Sequence, residues 1–125
     1  MSIVTQKKTV VVGASRKPDR YSNKAIKMLV EHGHPVIPVH PKYATIEGLN
    51  VAHRLSDVAG PIDTVTLYIG PAESSKLAAD LIALKPRRVI MNPGAENDAL
   101  IAPLEAEGIA VEKACTLVLL RTQQY

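Results

Sequence analysis

The sequence has no phenylalanine and no tryptophan, and its aromatic content is four tyrosines in 125 residues. An interior built without large rings must be aliphatic, which suits parallel strands covered on both faces. The same lack leaves few platforms for stacking bases. With a net charge of +3 and no dense basic stripe, that argues against nucleic acid and for a small anionic ligand. A single cysteine excludes an intramolecular disulfide and fits a reducing compartment. No apolar run reaches the roughly 18 residues of a membrane span, and Met1–Lys8 has no apolar stretch of signal-peptide length. The expectation is one cytoplasmic domain spanning residues 1–125, with residues 1–8 a flexible or extra N-terminal segment.

What is present is a regular alternation of apolar β-branched runs and helical patterns. Thr9–Val12 reads as a first strand. A helix opens at Asn23, carries Ala25, Ile26, Met28, Leu29 and Val30, and stops at Gly33. Pro35–Val39 reads as the second strand, Thr45–Asn50 as a loop or short turn, and Ser56–Val58 as one turn of helix. Thr64–Ile69 is the third strand. Pro71 opens a helix with a Leu77, Ala78, Leu81, Ile82 stripe. Arg88–Met91 is the fourth strand, Asn97–Glu107 a helix closed by Gly108, and Ala110–Glu112 the fifth strand. Thr116–Leu120 packs a last element on the sheet. This order specifies an α/β fold: a single-domain, Rossmann-like, doubly wound parallel sheet of about five strands with helices on both faces.

Such sheets bind ligands outside the carboxyl ends of their strands. The strongest local signal lies there, in Val10-Val11-Val12-Gly13-Ala14-Ser15-Arg16-Lys17-Pro18-Asp19-Arg20-Tyr21-Ser22. A buried strand ends in a glycine, and a small-residue basic loop leads into a helix N-terminus, the usual place for a phosphate. Ser15 and Ser22 offer hydroxyls; Lys17 and Arg20 offer charge. The loop is not a dinucleotide fingerprint, because Ser15 and Pro18 stand where later glycines belong. The other strand ends carry His40-Pro41-Lys42, Gly70-Pro71 and Asn92-Pro93-Gly94-Ala95. Enzymes using NAD place an acid after the second strand to hold a free ribose diol. Lys42 at that place suits a phosphorylated ribose instead, as in coenzyme A or NADP.

Taken together, these residues resemble the small bacterial CoA-binding domain proteins, which look like the N-terminal domain of the succinyl-CoA synthetase α subunit standing alone. The resemblance covers nearly the whole chain. It rests on Val-Gly-Ala-Ser with Pro18, Arg20 and Ser22, on His40-Pro41-Lys42, Asp63, Tyr68-Ile69-Gly70-Pro71, Asn92-Pro93-Gly94-Ala95-Glu96-Asn97 and Cys115. It implies coenzyme A or an acyl-CoA as ligand, held by Gly13, Ala14, Ser15, Lys17, Arg20, Ser22, His40, Pro41, Lys42, Gly70, Pro71, Asn92 and Gly94. Relatives often carry Gln at the place of Asn92.

Signals for chemistry are weaker. His32 and His34 flank a helix end, where a histidine meets the dipole favourably; His53 sits in a polar loop; no spacing matches a common zinc site. Asp57 and Asp63 read as capping or strand-edge groups, Glu105 and Glu107 as a solvated helix face, and Glu96 as a charge at a helix N-terminus. Cys115 reads as a small buried hydrophobe, with a mixed disulfide to a thiol cofactor as the other reading. The expected function is a non-catalytic binding or regulatory module for a small nucleotide ligand, with a homodimer as one assembly open to it. The alternative is an NADP- or NAD-binding redox protein using the same cleft. A receiver-like signalling domain fits poorly, because glycine, serine and cations stand where its acidic cluster belongs.

Overall fold

In the computed structural model, which describes residues 6–125, five parallel strands form one sheet. They are β1 (Thr9–Val12), β2 (Val36–Val39), β5 (Thr64–Leu67), β6 (Arg88–Met91) and β7 (Ala110–Lys113), in the order β2-β1-β5-β6-β7. The chain leaves β1 for one side of it, returns, and continues on the other side. The reversal puts the switch point between β1 and β5, where open α/β sheets form their ligand crevice.

Side chains alternate across the sheet with period two. Val10, Val12, Val65, Leu67, Val89 and Met91 pack on one face with Leu81 of α3 (Ala78–Leu84) and Leu100 and Leu104 of α4 (Asp98–Ala106). On the other face Val11 meets Ile26 and Leu29 of α1 (Tyr21–Glu31) and Leu120 of α5 (Thr116–Arg121). This second face is partly polar. The Arg88 Nε–H donates to Thr64 Oγ1 at 2.8 Å, and the hydroxyls of Thr66 and Thr116 lie 2.8 Å apart. Thr9 bonds the hydroxyl of Tyr125, over whose ring the Arg88 guanidinium sits at 4.4 Å. Most buried polar groups in a core are paired in this way, although Nη2 of Arg88 is buried without a hydrogen-bond partner.

Helix α1 starts two residues earlier than the apolar pattern indicates and ends as expected. Gly33 adopts φ 84, its N–H donates to the Val30 carbonyl, and the His34 N–H donates to the Leu29 carbonyl, each at 3.0 Å. That pair of bonds is the Schellman closure. Three expectations are corrected. Thr45–Asn50 is a hairpin, β3 (Thr45–Ile46) with β4 (Leu49–Asn50), turned by Glu47 and Gly48 at φ 51 and 76. Glu-Gly fills a turn that usually announces itself as Asn-Gly or Asp-Gly. The single helix expected from Pro71 is two, α2 (Pro71–Ser75) and α3, separated at Lys76-Leu77. The third sheet strand stops at Leu67, so Tyr68 and Ile69 belong to the loop above it.

Residues 1–5 of the expected N-terminal segment lie outside the described residues. Lys7 and Lys8 are anchored: the Lys7 N–H donates to His34 Nδ1, and the Lys8 carbonyl accepts from Asp63. At the β2 edge, Pro38 has no N–H to offer, and its carbonyl accepts from Ala52 at 3.0 Å. At the other edge, β7 is largely exposed and carries Glu112 and Lys113. No helix among the described residues is long and apolar enough to cross a membrane.

Candidate functional site

A cavity of about 440 Å³ opens above the switch point. The loop after β1 and the first turn of α1 supply Gly13, Ser15, Arg16, Lys17, Arg20, Tyr21 and Ser22; His40 and Tyr43 come from beyond β2, Tyr68 to Gly70 from beyond β5, and Pro93 to Ala95 from beyond β6. Among the described residues no carboxylate lines it, whereas Arg16, Lys17 and Arg20 do. The first turn of α1 ends on it through Tyr21 and Ser22, and no side chain caps that helix. The leading N–H groups of a helix have no intrahelical partner. Cations and free donors therefore converge on one space, which is the chemistry of an anion site.

The loop is held from beneath. Asn23, fully buried, donates its side-chain amide to the Ser15 carbonyl at 2.8 Å and to Glu47 at 3.2 Å. Ser15 Oγ accepts the Lys17 N–H at 3.1 Å, and the Lys17 carbonyl accepts the Arg20 N–H at 3.1 Å. Ala14 is buried beside the cavity, with its N–H on the Val39 carbonyl. Gly13 adopts φ 85, and a Cβ there would lie 2.8 Å from Ile69 Cγ2 and 3.1 Å from the Tyr68 backbone. The glycine is thus required by the close approach of two strand ends.

Arg16, which the sequence reading did not single out, is the best-placed cation. Its Nε–H donates to the Thr45 carbonyl at 3.1 Å, and its guanidinium lies 4.1 Å from the centre of the Tyr43 ring. Tyr43 in turn stacks on His40, centroids 4.4 Å apart. The Lys42 N–H donates to His40 Nδ1 at 3.0 Å, leaving the proton of the neutral ring on Nε2. Partial burial, then Lys42, Arg16 and His53, lower the His40 pKa below its usual 6.5. Lys42 itself is exposed and lines neither this cavity nor the next.

A second cavity of about 380 Å³ lies on the other side of His40, lined by Val12, Val39, Leu55, Ile69 and Leu77 and rimmed by Pro41, His53 and Arg54. His53 is exposed, as a polar-loop histidine is expected to be, and stands on its edge. Gly70 caps α2, while Pro71 begins it and faces Asn97 and Ser74 through its carbonyl. Gly94 reaches the first cavity at φ 90, its N–H held by Glu96 Oε1 at 2.8 Å.

Asn92 is placed differently from the expectation. It is 1% exposed, and its amide donates to Thr66 Oγ1 at 2.6 Å and to the Leu67 carbonyl at 2.8 Å; its oxygen accepts the Thr116 N–H at 2.9 Å. The side chain joins β5, β6 and α5 from inside and lines no part of the cavity. Its shortness is what allows these three bonds. Cys115 is half-buried and free, and Tyr68 carries a phenol that burial pushes up to about 12. No cluster of three or more metal-ligating side chains exists among the described residues.

Comparison with known proteins places this geometry in context. A family model described as CoA binding domain matches residues 7–121. A curated relative from Bacillus subtilis (strain 168), Uncharacterized protein YneT, is 36% identical over 62 residues, which cover 50% of this chain and 46% of that protein. The match thus spans about half the length of each. A crystal structure of an uncharacterized protein superposes with TM-score 0.90 at 38% identity, covering 97% of this chain and 99% of the other. A hypothetical protein from Pyrococcus horikoshii OT3 gives 0.82 at 28%, covering 93% and 83%.

Proposed function

The chain belongs to the CoA binding domain family, and from that premise we propose that it binds coenzyme A across the ends of β2, β1, β5 and β6 as a binding or regulatory module. The observation that carries this is the first cavity, where Arg16, Lys17, Arg20 and the uncapped start of α1 face one space with no carboxylate. Phosphates are acceptors only, and every one of these groups is a donor. Such a set holds a phosphorylated ligand without moving a proton, which is the work of a binding module.

The 3′-phosphate of the ligand falls to Arg16. The guanidinium is held by Thr45 and Tyr43 and still has donors left for the cavity, whereas Lys42 extends into solvent. A prepositioned fork loses little freedom on binding, so more of its hydrogen-bond energy appears as affinity. The apolar second cavity, next to His40, suits the adenine ring.

Isothermal titration with coenzyme A, 3′-dephospho-coenzyme A, NADP and NAD tests the reading. Coenzyme A is expected to bind tightest, and loss of the 3′-phosphate to cost about 1–3 kcal/mol. Equal or tighter binding of NAD would remove the proposal.

A further inference from the structure

A third cavity of about 270 Å³ lies between α1 and α5 beyond the end of β6, lined by Tyr21, Lys24, Tyr68, Pro93, Cys115, Leu117 and Arg121. It shares Tyr21, Tyr68 and Pro93 with the phosphate cavity, so the two adjoin. Resting on the coenzyme A reading above, we propose that this third cavity receives the acyl group of a coenzyme A thioester, and that Lys24 and Arg121 select a short chain ending in a carboxylate.

The strand order gives the direction. With the phosphorylated ribose beside β2 and β1, a ligand crossing the strand ends carries its sulfur toward β6 and β7. Four strand spacings of about 4.8 Å separate β2 from β7, roughly 19 Å in all. That is a suitable path for an extended arm. At its far end the wall changes character. Pro93, Leu117 and the tyrosine rings form an apolar surface for methylenes, and the half-buried thiol of Cys115 is compatible with it.

Charge then restricts the guest. The space, about 270 Å³, is large enough for a short acyl group. The lining contains two cations and no acid. Neither Lys24 nor Arg121 takes part in the ion pairs formed among the described residues. Lys24 leans over the Tyr21 ring at 5.5 Å, on the wall shared with the phosphate cavity. Two unpaired cations at an apolar pocket discriminate between a terminal carboxylate and a methyl group of similar shape.

The experiment compares coenzyme A, pentanoyl-CoA and glutaryl-CoA by titration calorimetry, on the natural protein and on the Lys24→Ala, Arg121→Ala double variant. Both residues are exposed and neither lines the phosphate cavity, so the variant is expected to fold and to keep its affinity for coenzyme A. Glutaryl-CoA is expected to bind the natural protein about tenfold tighter than pentanoyl-CoA, and the ratio to fall to about twofold or less in the variant. If coenzyme A binds but the two thioesters bind alike, or the ratio survives the double substitution, the acyl proposal fails and the coenzyme A reading stands. If coenzyme A itself does not bind, both fall.

Discussion

The guanidinium of Arg16 lies over the ring of Tyr43, 4.1 Å from its centre, and this contact turns a loop arginine into a fixed part of the cavity wall. Arg16→Ala is expected to weaken coenzyme A binding by about 1–3 kcal/mol. Tyr43→Leu removes this support, together with a ring that lines the cavity and stacks on His40, and is expected to cost about 0.5–1 kcal/mol. Lys42→Ala should leave the affinity nearly unchanged. Titration calorimetry decides the matter, and a larger loss from Lys42→Ala than from Arg16→Ala would reverse the assignment.

Affinity is also expected to rise as pH falls through the ordinary histidine range. His40 borders both cavities, and its cationic form is disfavoured in the free protein by burial and by Lys42 and Arg16. A bound phosphate opposes that bias and favours proton uptake. Coenzyme A should therefore bind more tightly below pH 6.5 than above it, and His40→Gln should flatten the dependence. Titrations across that pH range check the sign.

Stability should move the other way. The pKa values of His34 and His40 are both lowered in the fold, burial being the first cause for each. The folded state binds fewer protons than the unfolded chain, so their contribution is complete above 6.5 and is lost as pH falls through the depressed values. His34 Nδ1 accepts the Lys7 N–H at 3.0 Å, and Asn offers an oxygen in a similar place without a titrating ring. Thermal melts of His34→Asn should show a weaker loss of Tm on acidification than the natural protein.

Asn92→Leu is expected to destabilise the fold by about 2–4 kcal/mol. The substitution leaves the Thr116 N–H and the Leu67 carbonyl without partners in a buried place. The folded fraction should still bind coenzyme A, because the amide does not face the cavity. Urea denaturation and calorimetry on the same sample separate the two effects; intact stability with lost binding would make Asn92 a ligand contact after all.

Gly13→Ala should cost stability before it costs affinity. The residue combines φ 85 with a 2.8 Å approach to Ile69 Cγ2. Ile69→Ala removes that atom, so the double variant is expected to be less destabilised than the sum of the single changes. The backbone strain, about 1 kcal/mol or more, should remain. Strict additivity in urea denaturation would show that the contact with Ile69 is unimportant.

The sheet was legible because four of its strands carry apolar, mostly β-branched runs with glycine or proline close by, because Gly108 marks the approach to the fifth, and because Gly33 marks its helix end. The segment from Gly13 to Ser22 was legible as a strand end opening toward a helix start, and much of it lines the first cavity. What escaped was anything decided by contact across the fold. Arg16 becomes prominent only because Tyr43 and Thr45, from a hairpin hidden behind a Glu-Gly turn, meet its side chain. Tyr68 and Ile69 read as strand because their residue types favour it, although the ladder ends at Leu67. Asn92 is a strand-end amide by sequence, and only the position of Thr116 reveals that it points inward.

The two borders of the sheet bear on how the molecule behaves at high concentration. A proline in the middle of β2, with its own carbonyl already engaged by Ala52, denies an incoming strand part of its ladder. At the opposite border, the acid and the lysine of β7 would have to lose water to admit a partner. Edge-to-edge growth of the sheet into fibrils is thus opposed from both sides, although β1 and β5 at its centre are the kind of uncharged β-branched segment that stacks readily when exposed.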